Sequence, residues 1–146
     1  MSGKDILLVE DNPDDVELTR IAFAESGSSY RLIVVSDGAE AVDYLLARGV
    51  HAGRDPSELP ALVLLDLNLP KLDGREVLQV IRNHPATKTL PVVVLTTSAE
   101  PYDVDRVYEL GANSYIQKPV EFDRFVEVVR QVGLYWLDLN QPHNTR

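Results

Sequence analysis

Short, almost uninterrupted apolar runs alternate along this chain with longer stretches in which apolar residues recur every three or four positions. Ile6 to Val9, Leu32 to Val35, Leu62 to Leu65 and Val92 to Leu95 are runs of the first kind. Ser114 to Gln117 is a fifth, shorter and more polar. Their length and branched side chains predict strands, and their continuity predicts a parallel sheet covered on both faces. The intervening stretches carry helix punctuation. Asn12 suits an N-cap, Pro13 the first helical position, and Asp14 and Asp15 the positive end of a helix that runs to about Ser26 and stops at Gly27. Asp37 to Glu40 has capping-box spacing, and the helix after it runs to about Arg48, before Gly49. Residues 49–60, with two glycines and two prolines, predict an extended loop. Further helices are expected from the loop holding Pro70 and Gly74 to about Asn83, from Tyr102 to Leu110, and from Glu121 to Leu137.

Five strands alternating with five helices predict a doubly wound α/β fold: a five-stranded parallel sheet in the order 2-1-3-4-5, flavodoxin-like, with helices on both faces. The 146 residues suffice for one core, over 1–137, followed by a flexible polar tail over 138–146. With 45% apolar and 25% charged residues, the composition is that of a water-soluble domain. No apolar run approaches the roughly 20 residues of a membrane span, and the first run is too short for a signal peptide. Cysteine is absent, which excludes disulfides, thiolate metal sites and cysteine nucleophiles and fits a cytoplasmic location. The net charge of −9 opposes direct contact with nucleic-acid phosphates.

Ligands of an open parallel sheet bind beyond the carboxyl ends of its strands, at the switch point. Glu10 and Asp11 follow the first strand, Asp66 the third, Thr96 ends the fourth and Lys118 follows the fifth. In the predicted order the first and third strands are neighbours, so three carboxylates meet at one crevice with a hydroxyl and an ammonium nearby. Carboxylates held together need a cation. An all-oxygen donor set selects a hard ion, Mg²⁺ first and Mn²⁺ as its substitute. A nucleophilic carboxylate, a metal, a lysine and a hydroxyl donor together suit phosphoryl transfer to an aspartate.

The segments Val9-Glu10-Asp11-Asn12, Leu65 to Pro70, Asp73-Gly74, Leu95-Thr96 and Lys118-Pro119 resemble, in order, the motifs of the two-component response regulator receiver domain. The resemblance spans nearly the whole chain. It implies that Asp66 accepts a phosphoryl group from a partner histidine kinase and that Glu10, Asp11 and Asp66 hold Mg²⁺ with the backbone carbonyl of Asn68. It implies that Thr96 and Lys118 contact the phosphoryl group, that Tyr115 is a switch aromatic, and that the Lys118–Pro119 peptide is cis. The Leu65 to Glu76 run, Val94 to Ser98, the long loop before the third strand and the Tyr135-Trp136-Leu137 helix end resemble the stand-alone regulators of phytochrome-type histidine kinases. Such a protein signals through protein contacts and is not an enzyme beyond slow loss of its own phosphate. A phosphate relay or sink, and a phosphate-independent pseudo-receiver, are the other functions open to it.

Competing readings of the same residues are weaker. Asp66-Leu67-Asn68 lacks the acceptors and glycine of a calcium loop, and Asn68 breaks the Asp-x-Asp of haloacid-dehalogenase-type phosphatases. A flavin phosphate would be repelled by the acids after the first strand. Asp14 and Asp15 read as dipole partners only. Thr97 points opposite to Thr96. His51, His84 and His143 read as solvated. On the last helix, Phe122, Phe125, Val126, Val129, Val132 and Trp136 form the expected core stripe. Val128, Tyr135 and Leu139 lie off it and offer a homodimer face with the fourth helix and fifth strand.

Overall fold

The computed structural model describes residues 4–25 and 30–142. Its strands are β1 (Lys4–Val9), β2 (Tyr30–Val35), β3 (Leu62–Leu65), β4 (Val92–Thr96) and β5 (Ser114–Gln117). The helices are α1 (Pro13–Ala24), α2 (Gly38–Leu46), α3 (Gly74–Asn83), α4 (Pro101–Glu109) and α5 (Phe122–Gly133), the last continued by a π-helical turn over Leu134–Leu139. All strand pairs are parallel, in the order β2-β1-β3-β4-β5. This is the doubly wound, flavodoxin-like arrangement expected from the pattern.

Each face of the sheet buries its own core. Leu7, Val9, Val63, Leu65, Val92 and Val94 point to the α2–α3 side, with Tyr44, Leu45, Val77, Leu78 and Ile81. Ile6, Leu8, Leu62, Leu64, Val93 and Leu95 point to the other side, with Phe23, Phe125, Val129 and Leu137. The alternation within single strands explains why they read as unbroken apolar runs. Fully burying such side chains contributes roughly 1.5–3 kcal/mol each.

Several boundaries differ from expectation. The helix α2 ends at Leu46, and Ala47 rather than Gly49 takes the first left-handed position (φ 55°). Residues 49–60 are not a featureless loop. Gly49–His51 forms a 3₁₀ turn, the Arg54 guanidinium carbon lies 3.9 Å from the Tyr44 ring centroid, and Arg54 also bonds the carbonyls of Tyr44 and Glu58. His51 is therefore not a solvated residue: its Nε2 lies 3.0 Å from Glu40, with its ring edge-on to Tyr44. His84 is also half-buried, and its Nδ1 accepts from the Ala86 N–H. The stop at Gly27 and His143 fall outside the described residues.

On α5, Phe125, Val126 and Val129 are buried as expected, but Phe122 is 54% exposed. It is the first residue of the helix, where a side chain has neighbours on one side only. The π-helical turn shifts the register at the other end, so Leu137 is buried and Trp136 only partly so. The chain stays helical through Leu139, slightly beyond the expected start of the tail.

Candidate functional site

The strand ends meet through their backbones. The Asp66 N–H donates to the Val9 carbonyl, the Glu10 N–H to Val35, and the Lys118 N–H to Thr96. Register thus carries Glu10, Asp66, Thr96 and Lys118 to one edge of the sheet, although they are far apart along the chain. Behind Asp66 the packing is tight. A Cβ on Gly74 would lie 2.3 Å from the Asp66 carbonyl oxygen, and the Gly74 N–H donates to Leu67. The first turn of α3 can reach the end of β3 only with glycine there, which is the physical content of the Asp73-Gly74 pair. Asp73 caps the helix and Glu76 completes the capping box.

Glu10, Asp11 and Asp66 each offer a carboxylate oxygen, all within 4.8 Å of one another. Glu10 and Asp66 are buried and Asp11 is exposed, so the cluster opens to solvent on one side. Lys118 is buried, and its Nζ lies 2.7 Å from Glu10, 2.8 Å from Asp15 and 3.4 Å from Asp66. These contacts hold the ammonium charged and raise its pKa against the opposing cost of burial. Burial pushes the Glu10 carboxyl up to about 7; Lys118 offsets part of that rise, while the charge of Asp66 adds to it. An oxygen-only cluster this close, with one buried acid that resists ionising, fits a hard divalent cation.

The Thr96 hydroxyl is buried and has no hydrogen-bond partner, the only such side-chain atom among the described residues. Thr97 is exposed, because it lies just beyond the end of β4, where the chain leaves the sheet. A buried hydroxyl without a partner costs about 1–3 kcal/mol, so its retention points to a ligand that it serves. It stands at the same sheet edge as Asp66, where the carboxylates of Glu10, Asp11 and Asp66 fit a hard cation.

Tyr115 is half-buried. Its hydroxyl donates to the Ser98 carbonyl (2.7 Å), on the loop that follows Thr96. Ser98 in turn donates to Asp103 (2.8 Å), which accepts from Arg75 (2.9 Å), and Arg75 also reaches Asp73 at the start of α3. The bonds from Ser98 and Arg75 hold the Asp103 carboxyl below its usual range. One chain of contacts therefore links the loop after Thr96, α4, α3 and Tyr115. Nothing in the spacing of Arg75 and Asp103 announces that link.

Two sequence expectations change here. The Lys118–Pro119 peptide is trans, since no described residue forms a cis bond. A proline amide favours trans by roughly 0.5–1 kcal/mol, and Lys118 reaches Glu10, Asp15 and Asp66 without the switch. Asp15 is not merely a dipole partner; it contacts Lys118 directly. A signal for it was present: Asp15, Thr19, Ala22 and Phe23 share one helix face, and the last three are buried. Asn68 is exposed beyond the end of β3.

Residues 6–130 match the response regulator receiver domain family. Among curated proteins, the chain is 43% identical over 136 residues to the probable methanogenesis regulatory protein FilR2 of Methanothrix harundinacea (93% of this chain, 85% of the relative). It is 42% identical over 135 residues to the response regulator Rcp1 of Synechocystis sp. (92% and 90%). The Mn²⁺-bound form of Rcp1 superposes with a TM-score of 0.90 at 39% identity, covering 97% of this chain and 99% of that one. The phosphorylated cyanobacterial phytochrome response regulator RcpA superposes with a TM-score of 0.91 at 40% identity, covering 98% and 100%. The strand order, the acidic cluster at the sheet edge and these likenesses agree, and the chain belongs to the response regulator receiver domain family.

Proposed function

We propose that Asp66 is the phosphoryl acceptor of a signalling receiver fed by a histidine kinase. The observation that carries this reading is the convergence on Asp66 of two further acids, a buried lysine and a buried hydroxyl without a partner. An oxygen of the Asp66 carboxylate attacks the phosphorus of a kinase phosphohistidine. The P–N bond breaks, and the imidazole leaves with the electron pair. Glu10, Asp11, Asp66 and the Asn68 carbonyl would hold Mg²⁺, which when bound would supply charge neutralisation on the phosphoryl oxygens. Lys118 turns one of its N–H donors to the same oxygens, and Thr96 donates its hydroxyl. Thr96 then draws the following loop inward, which displaces the Ser98 carbonyl from Tyr115 and frees that ring to change position. The new charge-assisted hydrogen bonds bias a two-state surface, and the output is a change of protein partner.

Incubation with acetyl phosphate and Mg²⁺ tests the reading. A hydroxylamine-sensitive label is expected on the wild type and not on Asp66→Asn. The same label on that variant would overturn the assignment.

The partner kinase is of the phytochrome type in this reading. The likeness to regulators named for phytochromes supports it. Phosphotransfer profiling against a panel of kinases checks it, with fastest transfer expected from a bilin-binding kinase. The α4-β5-α5 face serves a homodimer: Tyr135 and Leu139 are 49% and 67% exposed, with Val128 half-buried beside them. Sedimentation equilibrium of wild type and Leu139→Glu distinguishes dimer from monomer.

A further inference from the structure

We propose that Asp15 is a positioning residue that tethers Lys118 in the resting state, so that a phosphoryl group on Asp66 must compete with it for the ammonium. The inference rests on the reading of Asp66 as phosphoryl acceptor.

The argument is one of valence. An ammonium has three N–H donors. Lys118 points them at three carboxylates, and the contacts to Glu10 (2.7 Å) and Asp15 (2.8 Å) are much shorter than that to Asp66 (3.4 Å). The lysine therefore rests on the side of the site away from its expected target. Glu10 belongs to the cation cluster with Asp11 and Asp66, whereas Asp15 stands outside it. With a cation held by that cluster, Glu10 would serve the ion and Asp15 would remain the lysine's own partner. Asp15 is well placed to be a fixed one. It lies in the first turn of α1, capped by Asn12, and its backbone carbonyl accepts from the buried Thr19 hydroxyl. Its carboxylate is 20% exposed, so the pair is neither screened like a surface contact nor sealed from water. A carboxylate beside the lysine weakens its pull on an incoming anion, and it limits how far the ammonium can swing.

The neighbouring Asp14 supplies the control. It also sits in the first turn of α1 and carries the same charge, but it is exposed and is not one of the three carboxylates that pair with Lys118. Beryllofluoride with Mg²⁺ mimics the phosphoryl group, and its binding is read by calorimetry or fluorine resonance. Asp15→Asn is expected to tighten that binding about fivefold, the worth of one ion pair that keeps some contact with water. Asp14→Asn is expected to change it by less than about twofold, as a purely helix-dipole effect would. In a Lys118→Ala background the effect of Asp15→Asn should vanish, because the tether acts only through the lysine. Unchanged or weaker binding in Asp15→Asn would overturn the inference, as would an equal gain in Asp14→Asn or an undiminished gain in the Lys118→Ala background. Absence of beryllofluoride binding by the wild type would instead overturn the reading of Asp66 beneath it.

Discussion

Replacing Lys118 by methionine keeps the volume of the stem and removes the charge, and the structure gives the consequence a size. The ammonium lies 2.7, 2.8 and 3.4 Å from three carboxylates. With an effective dielectric of about 20, those separations correspond to gross attractions of roughly 6, 6 and 5 kcal/mol. Most of that offsets the desolvation of four buried or half-buried ions. What the variant exposes is different: Glu10 and Asp66 stay buried with no counter-charge. Removing one partner of a buried pair costs about 3–5 kcal/mol. The cluster opens to water at Asp11, which places the expected loss near the low end, about 3 kcal/mol or roughly 10 °C in Tm. Urea unfolding in EDTA measures it. Added Mg²⁺ should restore much of the loss, because a cation replaces the missing charge; at about 100 times its Kd a ligand contributes about 2.7 kcal/mol. A Lys118→Met protein as stable as the wild type in EDTA would refute the view that this lysine neutralises the cluster.

The remaining predictions concern the same edge of the sheet. Thr96→Val removes a buried hydroxyl without a partner and keeps the shape, so stability should rise by about 1 kcal/mol while beryllofluoride affinity falls; denaturation and calorimetry on one sample check both signs. Glu10 has a folded pKa near 7 against an ordinary 4.5, so the folded metal-free protein holds a proton that the unfolded chain has released. Stability in EDTA should therefore fall as pH rises from about 4.5 to 7, by at most about 3 kcal/mol, and Glu10→Gln should flatten that slope. Mg²⁺ competes with the same proton, so its affinity should rise over that window in a pH series of titrations. Asp103→Asn weakens the Arg75 link and should loosen the loop after Thr96, seen as faster amide exchange at Ser98 and Tyr115 with little change in global stability.

The sequence pattern reached the fold because each strand is buried on both faces, which leaves runs such as Leu62 to Leu65 with no polar interruption. The site was legible for a related reason. Strand ends in a parallel sheet form one edge, so Glu10, Asp66, Thr96 and Lys118 could be placed together once the order was known. What stayed hidden depends on side-chain reach across the fold. Asp15 looked like a helix-start acid because its local role is real, and its contact with Lys118 spans 103 positions. Arg75 meets Asp103 across 28 positions, and His51 finds Glu40 only because residues 49–60 fold back on α2. The end of α2 was misplaced because Ala47 took the left-handed conformation that glycine usually holds. Phe122 kept the period of the core stripe but lies in the open first turn of α5.

A crystal structure with Mg²⁺ and beryllofluoride puts the central claim to its hardest test. The account predicts one ion held by Glu10, Asp11, Asp66 and the Asn68 carbonyl, with the beryllium bonded to an Asp66 oxygen and its fluorines within hydrogen-bond distance of Thr96 and Lys118. An adduct on any other carboxylate, or an ion bound away from Asp66, would contradict it.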